Sequence, residues 1–213
     1  MKLRGFIFDL DGTLLNTLPL CYIGFRSTLL KFTGREYSDR EIKDLFGPSE
    51  EGVLKKLLPE KWEESLQHYL DIYDKAHLEY SKPFPGIEEL LSLLIKQNLR
   101  LGIVSGKGPG TMTISLRHSG LEKYFEIVQT GSANGANKPA NLKKIISLWN
   151  FNPREVAYVG DMAYDIISAK EAGTISVGAI WANTTNRQRV LDMNPDFAFE
   201  MVHQFMEWIE VNI

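Results

Sequence analysis

Five short apolar runs separated by turn-forming residues constrain the fold of this chain more than any other feature. The runs cover residues 6–8, 101–104, 125–128, 156–159 and 175–180. They are partly β-branched, and glycine, serine, threonine or aspartate stands at most of their ends. Short runs of this kind are typical of strands that are buried in the middle of a parallel sheet. We therefore predict five parallel strands.

Helical patterns lie between these runs from residue 85 onward. Apolar residues follow Gly86 at helical spacing, others follow Pro139, and a third pattern ends at Gly173. Proline suits the first turn of a helix, and glycine suits the residue after the last turn. Alternating strands and helices predict the α/β class, with a Rossmann-like, doubly wound parallel sheet and right-handed crossovers.

Residues 16–82 interrupt the alternation, because they contain several helical patterns and no clear strand. One pattern follows Pro19, a capping box begins at Ser38, and a long pattern includes Tyr69 and Tyr73. We expect an all-helical domain at 16–82, inserted into an α/β core domain made of residues 1–15 and 83–213.

Composition excludes several classes of protein. The net charge of −3 provides no basic face for nucleic acid, and no stretch is apolar enough to span a membrane. Cys21 is the only cysteine, so an internal disulfide is impossible and a reducing cytoplasm is the simplest location. Its apolar surroundings predict a core residue rather than a reactive thiol.

The candidate site residues share one position, at the end of a predicted strand or at the start of the next helix. They are Asp9, Asp11, Gly12, Ser105, Gly106, Lys138, Asp161 and Asp165. In open α/β sheets, ligands bind outside the carboxyl ends of the strands. We therefore expect these side chains to lie close together.

Several carboxylates at one site repel one another and an anionic substrate. Two unit charges about 4 Å apart repel by about 4 kcal/mol at an effective dielectric of 20. Such a cluster needs a cation, and oxygen ligands favour magnesium over zinc. Without the metal, at least one of these carboxylates should have a raised pKa.

The order of these residues resembles the haloacid dehalogenase superfamily, and within it the phosphoglycolate phosphatase-like proteins. Its first motif corresponds to Asp9-Leu10-Asp11-Gly12-Thr13-Leu14, its second to Ser105, its third to Lys138-Pro139, and its fourth to the segment from Gly160 to Gly173. The resemblance spans residues 6–181. The helical insert resembles the type 1 cap domain of that superfamily.

The resemblance implies a role for each acidic residue. Asp9 would be the nucleophile and a magnesium ligand, and Asp11 the general acid and base, with its backbone carbonyl on the metal. Asp161 would bind magnesium directly, and Asp165 directly or through water.

The remaining site residues would surround the phosphate. The Ser105 hydroxyl and the Gly106 and Gly12 amides would hold phosphate oxygens, and Lys138 would neutralise both Asp9 and the phosphate. Each of these residues alone has an ordinary structural explanation, such as a turn, a helix cap or a solvated charge. Only the complete set in order predicts a site.

The predicted function is a magnesium-dependent phosphatase that hydrolyses a small phosphomonoester through an aspartyl-phosphate. Phosphoglycolate, sugar phosphates and nucleotides are all candidate substrates, since Asn16, Asn137 and Asn141 depart from the usual pattern and leave the substrate open. The alternatives are a phosphohexose mutase on the same scaffold and a non-catalytic, phosphate-binding regulatory protein. We expect a small phosphorylated metabolite as the partner, and a monomer or homodimer.

Two other features receive ordinary structural interpretations. The segment 106–110, rich in glycine, lacks the spacing of a nucleotide-binding loop and predicts a loop with a helix start. His68, His77, His118 and His203 lack metal-ligand spacing and are predicted to be surface or packing residues.

Overall fold

A single parallel sheet organises the chain in the computed structural model, which describes residues 2–80 and 82–213. Its strands are β1 Gly5–Phe8, β2 Arg100–Val104, β3 Ile127–Gln129, β4 Val156–Gly160, β5 Ile175–Ala179 and β6 Phe197–Phe199. Their order is β3-β2-β1-β4-β5-β6, and every pairing is parallel. The five predicted strands and the doubly wound α/β class are confirmed.

The sixth strand, β6, was not predicted. It is a three-residue edge strand of intermediate burial, with the sequence Phe197-Ala198-Phe199. Strands of this length carry too little pattern to separate them from a loop.

Helices cover both faces of the sheet and fill the insert. They are α1 Leu18–Thr33, α2 Asp39–Lys43, α3 Glu50–Leu57, α4 Trp62–Ala76, α5 Ile87–Lys96, α6 Pro109–Ser119, α7 Lys138–Trp149, α8 Ala163–Ala172, α9 Arg187–Asp192 and α10 Val202–Asn212. Along β1, Phe6 and Phe8 pack with α5, α6 and α10, whereas Ile7 packs with α7 and α8. This alternation places one apolar layer on each face of the central strand. None of the helices in the two described ranges is long and apolar enough to cross a membrane.

The insert has an apolar core of its own. Leu20, Cys21, Phe25 and Tyr69 are among its buried members, so the predicted packing role of Cys21 is confirmed. The predicted capping box at the start of α2 is also present. The chain returns to the sheet through backbone contacts of Leu14 and Leu15 with residues 83 and 84. The division into two domains at residues 16 and 82 stays a prediction.

A buried histidine joins the insert to the sheet domain. His77 follows α4, and its Nε2 lies 2.9 Å from the Ser115 hydroxyl on α6. Its ring also stacks on His118, with the ring centres 5.1 Å apart. Burial, and then the nearby charges of His118 and Lys107, lower the pKa of His77 to about 4.

We expect this lowered pKa to make stability depend on pH. The unfolded histidine takes up a proton near its usual pKa of about 6.5, and the folded one only near about 4. His77 therefore contributes stability above about pH 6.5 that is lost as the pH falls. The loss between about pH 7.5 and about pH 5 should be about 2 kcal/mol.

Urea unfolding at the two pH values measures this loss. His77→Gln should lower stability at the higher pH and show a correspondingly smaller decrease on acidification. His203→Gln, at an exposed position of α10, is the matched control and should keep the wild-type pH dependence. If the free energy of unfolding fell by the same amount between the two pH values in all three proteins, the prediction would be contradicted.

Candidate active site

Three carboxylates converge at the carboxyl end of the central strands. Phe8 of β1 pairs with Val159 of β4, so the residues that follow these strands leave the sheet side by side. As a result, Asp9, Asp161 and Asp165 each place one carboxylate oxygen within 4.8 Å of the others. All three are buried. Strand order reverses at β1, where open α/β sheets form their ligand sites.

Lys138, the first residue of α7, lies between two of these carboxylates. Its Nζ donates to Asp9 Oδ2 at 2.8 Å and to Asp165 Oδ1 at 2.6 Å. Burial alone would lower the pKa of Lys138, but Asp165 and Asp9 outweigh this effect and hold the pKa well above its ordinary value. Lys138 therefore stays charged and neutralises part of the cluster.

The cluster still carries more negative than positive charge. Burial, together with Asp165 and Asp9, raises the pKa of Asp161 well above its usual range. Burial also raises the pKa of Asp165, although Lys138 opposes the shift. These shifts agree with the expectation from the sequence and show that the site favours added positive charge. Oxygen donors alone at this spacing fit a divalent metal ion.

Asp165 is held on both of its oxygens. Oδ1 accepts from Lys138 and from the Tyr158 hydroxyl at 3.1 Å, and Oδ2 accepts from the Met162 amide at 2.9 Å. A Cβ at Gly160 would lie 2.4 Å from this carboxyl group, so glycine is required beside it. A direct bond from Asp165 to a metal ion would have to replace one of these contacts.

Gly12 packs against Asp161. Its φ is +78°, and a Cβ there would lie 2.3 Å from Asp161 Oδ2, so both the turn and the close approach require glycine. The Gly12 amide already donates to the Leu15 carbonyl oxygen at 2.8 Å. A phosphate oxygen would have to compete for that amide. Ser105 and Gly106 follow β2 and line the same cavity.

Asp11 faces away from the carboxylate cluster and toward the insert. Its Oδ1 accepts from the Thr17 hydroxyl and lies 3.2 Å from Lys107 Nζ. Its side chain is 26% exposed, whereas that of Asp9 is only 5% exposed. The two aspartates of the first motif therefore occupy different environments, as two different chemical roles require.

Lys107 and Glu50 were not predicted as site residues. The loop and helix start at 106–110 are present as expected, but the side chain of Lys107 is fully buried. Its Nζ lies 4.0 Å from Glu50 Oε1 and 4.5 Å from the centre of the Tyr73 ring. Burial alone would lower the pKa of Lys107, but Asp11 chiefly outweighs it and holds the pKa well above the ordinary value.

Glu50 connects the insert to the sheet domain. From the first turn of α3, its carboxylate accepts from the Gly108 amide at 2.6 Å and from the Thr111 hydroxyl at 2.7 Å. These donors lie at the N-terminal end of α6, where an anion also interacts favourably with the helix dipole. For Lys107, the sequence contained one indication of a site role, its position directly after the strand-end Ser105-Gly106 pair. For Glu50, it contained none.

A cavity of about 440 Å³ lies over the cluster, between the sheet and the insert. Its floor includes Asp9, Lys138 and Asp161. Its walls on the side of the insert are largely apolar and include Leu18, Cys21, Phe25, Phe46 and Val53. The site therefore has a charged end and an apolar end.

A comparison of the sequence with protein-family models identifies the family of the chain. Residues 6–179 match the model of the haloacid dehalogenase-like hydrolase family. The chain belongs to this family. The matched region contains every one of the candidate site residues, from Asp9 to Asp165. The resemblance deduced from the motifs is confirmed, and so is the expectation that the chain is a hydrolase.

Similar proteins of the family cover almost the whole chain. The pyrophosphatase PpaX of Listeria welshimeri is 30% identical over 208 residues, 96% of this chain and 95% of its own length. Among solved structures, a haloacid dehalogenase-like family protein from Streptococcus pneumoniae has a TM-score of 0.77 at 20% identity and covers 97% of this chain and 98% of its own. A predicted phosphoglycolate phosphatase from Haemophilus somnus has a TM-score of 0.76 at 20% identity, with 98% and 99% covered. These two structures support the fold.

Proposed function

We propose that the chain is a magnesium-dependent phosphatase that hydrolyses a small phosphomonoester through an aspartyl-phosphate on Asp9. The observation that carries this proposal is the convergence of Asp9, Asp161 and Asp165 with Lys138, beneath a cavity that Asp9, Asp161 and Lys138 line. The names of a pyrophosphatase relative and of a predicted phosphoglycolate phosphatase support the same reaction class.

Asp9 would act as the nucleophile. Its Oδ1 accepts from the Leu10 amide at 2.8 Å and its Oδ2 from Lys138, so the carboxylate has one fixed orientation. One oxygen forms a bond to phosphorus while the bond to the leaving oxygen breaks. Water then attacks the phosphorus of the aspartyl-phosphate, which releases inorganic phosphate and restores the carboxylate.

Asp11 would move the proton. It donates a proton to the leaving oxygen in the first step and accepts one from the attacking water in the second. Thr17 and Lys107 both contact its Oδ1 and hold the carboxyl group in place, and the leaving group would depart on the side of the insert. Ser105 and Gly106 would hold the phosphoryl oxygens from the end of β2, and Gly12 shapes the floor of the site.

The residues present fit a magnesium ion, since the donors are buried carboxylate oxygens, and burial with the neighbouring carboxylates raises the pKa of Asp161. Asp9 and Asp161, with the Asp11 backbone carbonyl, would hold it, and Asp165 would act through Lys138 or water. When bound, the ion neutralises the carboxylates and draws negative charge from the phosphoryl group. No observation favours a mutase. A non-catalytic regulatory protein is also disfavoured, because four buried or partly buried acidic groups at one site are costly for a protein that does not use them.

The insert would act as a cap that limits the size of the substrate and excludes water. Within this proposal, a small phosphorylated metabolite is the partner and residues 16–82 form the cap domain. The cytoplasm stays our prediction for location, and a monomer or homodimer for assembly.

The test measures phosphate release from p-nitrophenyl phosphate and from a panel of small phosphomonoesters. We expect turnover with Mg²⁺ that falls to background with a chelator and returns when Mg²⁺ is added back. Ca²⁺ should not restore it, because calcium takes longer bonds and more ligands than the compact cluster offers. Full activity in the presence of chelator would contradict a magnesium-dependent reaction.

A further inference from the structure

The apolar end of the cavity has a specific composition. Leu18, Phe25 and Val53 form its wall, and Phe46 packs on this wall with its ring centre 6.2 Å from that of Phe25. Phe46 is 38% exposed although it belongs to this aromatic cluster. A partly exposed phenyl ring that faces a cavity offers apolar surface to whatever enters.

In the part of the chain that the structure describes, that end of the cavity offers no unpaired cation for a second anionic group. Among the described residues that line the cavity, Lys107 and Lys138 are the only basic side chains. Lys138 is bonded to Asp9 and Asp165, at the phosphoryl end. Lys107 is fully buried and pairs with Asp11 and Glu50. Each lysine therefore already lies beside two acidic side chains.

Glu50 makes this end of the cavity unfavourable to anions. Glu50 lines the cavity, and the Gly108 amide and the Thr111 hydroxyl hold its carboxylate in place beside it. A carboxylate or second phosphate on the leaving group would lie near Glu50, and neither of the two lysines that line the cavity is free to pair with it. Like charges at short range in a partly dry site repel strongly.

We propose that this site selects phosphomonoesters whose leaving group is uncharged and apolar, such as an aryl or arylalkyl alcohol, over esters that carry a second anion. This proposal rests on the proposed function, because the phosphoryl group must occupy the carboxylate end. The proposal predicts that this chain differs in substrate from its 30% identical relative, which is named a pyrophosphatase. The leaving group of pyrophosphate is itself an anion.

The kinetic test compares kcat/KM for benzyl phosphate, 2-phosphoglycolate and pyrophosphate with Mg²⁺. Benzyl phosphate and phosphoglycolate both release an alcohol, so they differ mainly in the apolar or anionic group beyond it. We expect kcat/KM for benzyl phosphate to exceed that for the other two by about tenfold or more. The other two substrates carry an unpaired negative charge into the apolar end, and they lack the phenyl ring that contacts its wall. An equal or higher value for phosphoglycolate or pyrophosphate would overturn the proposal.

A binding test separates this proposal from the proposed function. Benzylphosphonate and phosphonoacetate share a non-hydrolysable phosphonate and differ in a phenyl or carboxylate group. Calorimetry with Mg²⁺ should show tighter binding of benzylphosphonate, by about tenfold. This preference without any turnover would support the selectivity and contradict the phosphatase, whereas the reverse preference contradicts the selectivity whether or not the protein is active.

Variants at Phe46 provide the structural control. Phe46 lies outside the helices and is partly exposed, so substitution should not disturb folding. Phe46→Ala should lower kcat/KM for benzyl phosphate about tenfold and leave phosphoglycolate nearly unchanged, while Phe46→Arg should favour phosphoglycolate. Leu148→Ala, an exposed leucine on α7, is the matched control and should change neither value. Equal effects of Phe46→Ala on both substrates would contradict the assigned position of the leaving group.

Discussion

Asp9→Asn is expected to lower kcat/KM for phosphomonoesters by about 10⁴-fold or more. The amide that replaces the carboxylate keeps its size and shape, so the packing around the end of β1 should persist. It is a far weaker nucleophile, and it cannot provide a negatively charged oxygen to a metal ion. One substitution therefore removes the covalent step and one predicted ligand.

The measurement is phosphate release with Mg²⁺, together with mass spectrometry of the protein after rapid quenching in acid. The wild type should carry a phosphoryl group on the peptide that contains Asp9, and the variant should not. Asp192→Asn is the matched control, because Asp192 is an acidic residue at the end of α9 that contacts Gln188 on the protein surface. It should keep wild-type activity.

Stability distinguishes a chemical loss from a folding defect. Asp9→Asn removes one of three mutually repelling carboxylates but leaves Lys138 paired with Asp165 at 2.6 Å. The two effects oppose each other, so the melting temperature without metal should change by only a few degrees. Activity within tenfold of the wild type in a normally folded variant would show that Asp9 is not the nucleophile.

The sequence predicts the floor of the site well because that floor depends on local rules. Each parallel strand ends at the same edge of the sheet, so residues directly after β1, β2 and β4 must meet. Asp9, Ser105 and Asp161 follow this rule and line one cavity. The short edge strand β6 could not be predicted, since three residues of intermediate burial show no period.

The apolar end of the cavity depends on long-range packing that no spacing reveals. Glu50 contacts an amide that lies 58 residues further along the chain, and Lys107 contacts Asp11, which lies 96 residues earlier in the chain. In sequence, Glu50 is one of two acids in the first turn of a helix and resembles a solvated residue. Its burial follows only from how α3 packs against α6, which depends on the whole insert.

Lys138→Met is expected to combine a large loss of activity with a loss of stability that depends on pH. The methionine side chain fills a similar volume without the charge, so Asp9 and Asp165 lose their shared partner. Breaking a buried ion pair from one side typically costs about 3–5 kcal/mol, and we expect a loss in this range without metal near pH 8. We expect kcat/KM to fall by about 10³-fold, because the lysine no longer opposes the charge of the attacking carboxylate and of the phosphoryl group.

The sign of the pH effect follows from the carboxylates. The pKa values of Asp161 and Asp165 are already raised in the folded protein by burial and by their neighbours, and without Lys138 they should rise further. A carboxyl group with a raised folded pKa contributes stability at low pH that is lost as the pH rises through that pKa. The stability deficit of Lys138→Met should therefore be largest near pH 8 and should shrink as the pH is lowered toward about 5.

Urea unfolding without metal at several pH values measures this deficit, with Lys143→Met as the matched control. Lys143 lies on the same helix, but it is exposed, and its Nζ forms a long ion pair of 3.9 Å with the exposed Glu171. Its loss should therefore cost less than about 1 kcal/mol at any pH. Mg²⁺ should restore more stability to Lys138→Met than to the wild type, because the cluster without the lysine is more negative. Only a charge that faces buried carboxylates couples stability to their protonation. If the stability deficit of Lys138→Met equals that of Lys143→Met, or does not change with pH, then Lys138 does not neutralise the cluster.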